Sequence, residues 1–198
     1  MRRRAWNHNL QYLPLLLRAV PRPCGRALDV GCGDGLFTRE IAPLAGQVVA
    51  IDRDEAILEV ARRAGGEGIE YVAGDFLSHP LEPASFDFVL SVTALHHMDA
   101  APALARMREL LRPGGTLVVL GIALSTYPRD LARDTTARFV DRAYRFTRDV
   151  YWSDAPRSWP PPTTYREIRD LATRALPGAR YRRHLLWRYS VVWSKPPA

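Results

Sequence analysis

The sequence predicts an α/β three-layer sandwich: a seven-stranded, mostly parallel sheet with helices on both faces and an antiparallel hairpin at its C-terminal end. Three observations lead there. Apolar segments end near Val30, Ile51, Ala73, Val92 and Gly121, a spacing of roughly 20 to 30 residues that matches a strand–helix–strand repeat. The strand cores are Ala27–Val30, Val48–Ile51, Ile69–Ala73, Phe86–Val92 and Thr116–Leu120, several of them continuously apolar and not alternating, as expected for parallel strands covered on both faces. Finally, Arg180–Leu186 and Tyr189–Ser194 are strand-like and nearly adjacent, which reads as a hairpin.

Taken in order, residues 1–24 form an N-terminal arm ahead of the repeat. Trp6, Leu10, Leu13 and Leu17 share one face at helical spacing, and Pro14 argues for a break. Helices are expected over Leu36–Pro43, Glu55–Ala64 and Ala103–Leu111. Arg112-Pro113-Gly114-Gly115 is a stop and turn directly before the fifth strand. The rhythm changes after Gly121, and residues 122–162 read as a cap inserted in the single domain 1–198. A helix within 125–150 carries Leu131, Phe139, Val140 and Phe146 among arginines. Asp134–Arg138 and Asp141–Arg145 are favourable i,i+4 pairs, so its charge is read as a solvated face. Prolines keep 151–162 irregular, and Tyr151, Trp152 and Trp159 are read as packing aromatics. Thr164 followed three places later by Glu167 is a capping box, opening a helix that runs to about Leu176.

The totals exclude some classes. With 198 residues, 47% hydrophobic and 25% charged, the chain is an ordinary globular domain with room for a substantial core. No apolar run reaches the roughly 18 to 20 residues of a membrane span. Trp6-Asn7-His8-Asn9 interrupts any signal-peptide core after the basic start, so a cytoplasmic protein is expected. Cys24 and Cys32 form no CxxC pair and no metal-ligand set; they are expected as reduced thiols, and no metal is expected. The net charge of +7 comes almost entirely from arginine, with Lys195 the only lysine. Abundant Ala, Arg and Pro make that charge a compositional bias more than a nucleic-acid stripe.

The chemistry centres on Asp29-Val30-Gly31-Cys32-Gly33-Asp34-Gly35, where a strand drives into a turn with three alternating glycines. Such a turn lets backbone approach a ligand, and the helix that follows points unpaired N–H groups at it. The dinucleotide fingerprint needs its third glycine one place later, which disfavours a nicotinamide dehydrogenase. Asp52 ends the second strand, where a carboxylate can accept from both hydroxyls of a ribose.

These residues, with Val72-Ala73-Gly74-Asp75-Phe76, Phe86-Asp87-Phe88-Val89-Leu90-Ser91, Leu95-His96-His97-Met98 and Leu111-Arg112-Pro113-Gly114-Gly115, resemble in order the class I S-adenosylmethionine (SAM)-dependent methyltransferases. The likeness is to the broad group that includes small-molecule and quinone-biosynthesis enzymes, and it spans roughly residues 26–121. It implies a Rossmann-like sheet and SAM as cofactor, with S-adenosylhomocysteine (SAH) as product. By position, Gly31, Cys32, Gly33 and Gly35 form the turn against methionine and ribose. Asp29 faces the ammonium directly or through water. Asp52 holds the ribose, Arg53 flanks the adenine, Asp75 accepts from its amino group and Phe76 covers the ring. Ser91 offers its backbone carbonyl to the ammonium, while Asp87 is structural.

Methyl transfer from a sulfonium needs the acceptor placed and desolvated, with a general base only for a hydroxyl or phenol. His96 and His97 are the candidate bases, with His8 and Tyr12 on the arm behind them as substrate contacts. The expected acceptor is a small molecule. RNA or protein methylation, suggested by the charge, and a SAM-binding protein without turnover are the alternatives. No NPPY-like tetrapeptide stands at Ser91-Val92-Thr93-Ala94. Acceptor identity and oligomeric state do not follow from the residues.

Overall fold

The structure, a computed structural model, describes residues 6–151 and 160–197. Seven strands form one sheet in the order β3-β2-β1-β4-β5-β7-β6: β1 (Arg26–Val30), β2 (Gln47–Asp52), β3 (Ile69–Ala73), β4 (Phe86–Val92), β5 (Leu111–Gly121), β6 (Arg180–Arg183) and β7 (Tyr189–Ser194). The first five are parallel, and β7 pairs antiparallel with both β5 and β6. The expected architecture is therefore the observed one.

Alternate strand residues feed two cores, which is why the central strands are largely apolar. One core joins Leu28, Val30, Val89, Leu117 and Val119 to α4 (Ala100–Leu110) and α6 (Tyr165–Ala175) through Leu104, Met107, Ile168 and Ala172. The other joins Ala27, Val48, Phe88, Leu90 and Val118 to α1 (Leu13–Ala19) and α2 (Leu36–Ile41) through Leu16, Phe37 and Ile41. A smaller cluster of Cys32, Ala50 and Leu58 seats α3 (Glu55–Ala64). Truncating a fully buried leucine such as Leu117 to alanine costs about 2–5 kcal/mol in such a core.

Several boundaries move for local reasons. Pro14 does not break the arm: it occupies the first turn of α1, where no intrahelical N–H is needed, after a 3₁₀ turn at Leu10–Tyr12. Asp54 and Asp99 cap α3 and α4 by accepting from Ala56 and Ala101 N–H. Asp99 thereby starts α4 earlier than periodicity alone suggests. Strand β5 begins at Leu111 and bulges over Arg112–Gly115, since Phe86 pairs with Leu111 and Phe88 already with Thr116. The capping box at Thr164 and Glu167 forms as expected. Strand β6 stops at Arg183 because Leu186 and Trp187 both adopt left-handed backbone, with φ of 56° and 57°.

The cap reading needs correction. Its helix, α5 (Leu131–Thr147), exposes Phe139 and Phe146. Arg145 does bond Asp141 at 2.9 Å, but Asp134 is no solvated partner of Arg138. It is buried and accepts from the Ser125 and Tyr127 hydroxyls at 3.1 and 2.8 Å. Trp152 and Trp159 lie outside the described residues. Among the described residues no helix is long and apolar enough to cross a membrane.

Candidate active site

The site lies beyond the carboxyl ends of the parallel strands, where β1 sits between β2 and β4 and the strand order reverses. Open α/β sheets bind ligands at this crevice. The turn after β1 is built as its glycines suggest. Gly31 has φ of 70°, and a Cβ there would fall 2.2 Å from that of Ala94. Its N–H and that of Cys32 donate to the Ile51 carbonyl, tying the turn to β2. Asp52 then locks the same turn from the side: one oxygen accepts from Gly33 N–H at 2.9 Å and the other from Asp54 N–H at 3.1 Å.

A cavity of about 1190 Å³ opens over these strand ends. Single small-ligand pockets run to about 1,000 Å³, so it has room for more than one ligand. Gly31, Cys32, Gly33, Asp52, Arg53, Asp75, Phe76, His96, His97 and His8 all line it. Asp75 keeps one oxygen on the Leu77 N–H at 2.8 Å. Arg106 lies 5.6 Å over the Phe76 ring and helps to fix it.

Four expected residues are not brought to the cavity wall. Gly35 precedes α2 as its left-handed N-cap. Asp29 is 1% exposed and accepts from the Thr38 hydroxyl at 2.6 Å; burial raises its carboxyl to about 7. The Ser91 side chain is fully buried and donates to the Val30 carbonyl at 3.1 Å. Tyr12 turns away, its hydroxyl on the Leu185 carbonyl and its ring against His184. Asp87 is structural as expected, capping Gly25 and Arg26 N–H and pairing with Arg112.

The wall opposite the glycine turn is assembled from three distant segments, and sequence reasoning missed most of it. Trp6 forms an extended bridge with Val150: its N–H donates to Asp149 and its carbonyl accepts from Tyr151, both at 2.8 Å. Tyr151 is more than a packing aromatic, because its hydroxyl donates to Asp34 at 2.8 Å beside the glycine turn. His8 bonds Asp141 on α5 at 2.7 Å and packs against Trp6 and Trp187. Asn9 donates to the Thr93 hydroxyl at 3.0 Å and accepts from Arg188 Nε at 2.7 Å. Thr93 holds a left-handed φ of 52° just past β4, a conformation that costs of order 1–3 kcal/mol and persists where its surroundings impose it. No local motif announces these partners; the only sequence signal was the aromatic and histidine content of the arm.

The two candidate bases sit side by side, with ring centroids 4.0 Å apart. Burial, the neighbouring ring and the Arg188 charge push His96 down to about 4, and its Nδ1 is buried without a hydrogen-bond partner. Burial and then Arg53 lower His97 as well. Both rings are neutral at pH 7 and able to accept a proton, His96 only weakly.

Comparison with known proteins agrees with this geometry. Residues 28–119 match the family model described as a methyltransferase domain. An uncharacterized methyltransferase of Mycobacterium tuberculosis (strain ATCC 25618 / H37Rv) is 37% identical over 193 residues, covering 96% of this chain and 98% of the relative. This chain is a class I SAM-dependent methyltransferase. The demethylmenaquinone methyltransferase of Staphylococcus aureus (strain Newman) is 37% identical over 110 residues, 52% of this methyltransferase and 45% of that one. Two solved structures share the fold. N-methyltransferase NodS from Bradyrhizobium japonicum superposes with a TM-score of 0.64 at 20% identity, covering 94% of this chain and 96% of its own. Phosphoethanolamine N-methyltransferase 2 of Haemonchus contortus, solved in complex with S-adenosyl-L-methionine, gives 0.66 at 18%, covering this methyltransferase fully and 54% of that chain.

Proposed function

We propose that this methyltransferase acts on a small-molecule acceptor held in the described cavity, with SAM along the ends of β1, β2 and β3. The residues present fit the cofactor. Asp52 is pinned by two backbone N–H groups, and an ionised carboxylate has further lone pairs to receive ribose hydroxyls. Asp75 spends one oxygen on Leu77 and leaves the other for an amino group, beside the fixed ring of Phe76. Gly31, Cys32 and Gly33 bring backbone, not side chains, to the methionine side. When bound, SAM supplies a methyl already activated on a sulfonium.

The chain's own contribution is enclosure and placement. The observation that carries the reading is the roof: Trp6 is laced to Asp149 and Tyr151, and Asn9 to Arg188, so arm, cap and hairpin close over the strand ends. Such a roof excludes water from the reacting atoms and admits a small molecule more readily than a folded macromolecule. For an acceptor with an ionisable hydroxyl, neutral His97 or His96 is placed to take the proton.

The reading is tested with two measurements. Calorimetric titration with SAH should show binding to the wild type, weakened about tenfold or more in Asp75→Ala through the lost hydrogen bond. Labelled methyl should pass from SAM to members of a small-molecule panel and not to total RNA or denatured protein. RNA labelling that falls steeply with salt overturns the small-molecule reading. Absent SAH binding overturns the cofactor placement.

A further inference from the structure

We propose that the acceptor carries a carboxylate or comparable compact oxyanion, received by Arg188 beside the Asn9–Thr93 pair. This rests on the small-molecule reading above and names its substrate class. Arg188 starts the return from the left-handed turn at Leu186 and Trp187 and reaches the cavity wall. It keeps partial exposure while lining that cavity, and burial lowers its guanidinium to about 10. Every hydrogen bond it makes goes to a neutral oxygen: Nε to Asn9 Oδ1 at 2.7 Å, and Nη1 to the Leu186 and Trp187 carbonyls at 3.3 and 3.4 Å. Among the described residues Nη2 makes none, and no carboxylate pairs with this cation.

A buried charge without a counter-charge is costly, and proteins seldom keep one unless a ligand completes it. Three other arginines show the contrast. Arg183 on the same hairpin pairs with buried Asp130, Arg145 with Asp141 and Arg112 with Asp87. Of these four, Arg188 is the one without an acid among the described residues. The same cavity is lined by Trp6, Val92, Met98, Ile122 and Trp187, apolar surface for the body of an organic acid. The fork of a guanidinium suits a carboxylate in particular.

The neighbouring histidine fits the same assignment. His96 is held neutral partly by the Arg188 charge, and an oxyanion on Arg188 would cancel that influence and raise it. An acceptor that arrives as an anion also has less need of the strong base that His96 is not. If the carboxylate oxygen is itself methylated, its lone pair forms the O–CH₃ bond while the sulfonium S–CH₃ bond breaks. The electron pair stays on sulfur as neutral SAH, and no proton moves.

The test uses SAH-loaded full-length protein and three acid–amide pairs: propionate and propionamide, benzoate and benzamide, phenylacetate and phenylacetamide. At least one acid should bind about 30-fold or more tightly than its amide, and Arg188→Gln should abolish that preference while Arg188→Lys restores part of it. In NMR, the His96 ring should titrate at higher pH once that acid is bound. SAH should bind wild type and Arg188→Gln alike. Amides binding as well as acids to the wild type overturns the proposal, a comparison that needs no variant to fold. So does an SAH affinity that falls with Arg188→Gln, which would assign the guanidinium to the cofactor's own carboxylate. Failure of the wild type to bind SAH at all sinks the cofactor placement instead, and is read separately.

Discussion

The two walls of the cavity are made in different ways. The wall at the ends of β1, β2 and β3 comes from residues next to strands: Gly31 to Gly33, Asp52 and Asp75 each follow an apolar run directly. Their partners are near neighbours in the sheet, such as the Ile51 carbonyl for Gly31 and Gly33 N–H for Asp52. The opposite wall joins residues far apart in sequence, with His8 meeting Asp141 and Asn9 meeting both Thr93 and Arg188. The sheet core therefore sets the first wall, whereas the second depends on arm, cap and hairpin docking together. On the proposed assignment of the first wall to the methyl donor and the second to the acceptor, such a fold can keep the donor half constant and vary the acceptor half at little cost to the core.

The sharpest way to break this division is Asp52→Ala. It removes the proposed ribose acceptor and also frees Gly33 and Asp54 N–H, so the glycine turn loses its side support. Two charge-assisted hydrogen bonds are at stake, together about 3–5 kcal/mol. SAH affinity measured by calorimetry should fall by roughly 200-fold or more, while the melting temperature of the free protein falls only by the several degrees that the freed Gly33 and Asp54 N–H groups cost. If affinity survives, the donor half does not reside in this wall.

Asp29 probes the boundary of that half, and its effect is on stability. Its carboxyl titrates near 7 in the folded protein because of burial, tempered by the Thr38 hydroxyl and raised again by Asp52 and Asp34. An unfolded aspartate titrates near about 3.9. The folded state thus holds a proton that the unfolded state has lost, so stability falls as pH rises from about 4 to about 7. Above that the full cost of a buried charge is carried. Asp29→Asn should melt higher than wild type at pH 8, by on the order of 1–3 kcal/mol and several degrees. The difference should close as pH approaches 4. Since Asp29 does not line the cavity, SAH affinity should stay within about threefold of wild type. A large loss of affinity would return Asp29 to the cofactor, as its motif position implied.

What was legible in the sequence follows the same division. The strand repeat, the glycine turn and the acids at strand ends are local patterns, and parallel pairing carries them to one crevice without further information. Asp29 belongs to those patterns too, yet its side chain is turned inward because adjacent strand positions face opposite sides of a sheet, and Gly35 is held in the turn as a helix N-cap. The arm could be read only as amphipathic. Trp6 looked like part of a helix face but forms an extended bridge to Val150, a pairing that no spacing within either segment encodes. Arg188 was one arginine among many. What sets it apart is its place in the cavity wall without a carboxylate partner among the described residues, and that is visible only once the chain is folded.

The mildest test concerns how the second wall is held. His8 links Trp6, Trp187 and α5 through one hydrogen bond to Asp141 and two ring contacts. Burial lowers the His8 ring despite that bond, so the ring is mainly neutral at pH 7. His8→Ala removes a single part-buried hydrogen bond of about 1 kcal/mol, and Asp141 keeps Arg145 at 2.9 Å. The arm should loosen without the domain unfolding. In hydrogen exchange the Trp6 and Tyr151 amides, which lace the roof, should exchange about fivefold faster, while core amides of β1 and β4 keep their protection. Acceptor KM should rise by a similar factor and SAH affinity should hold. A matching loss of SAH affinity would mean that the roof supports both ligands, and the two walls would then have to be treated as one unit.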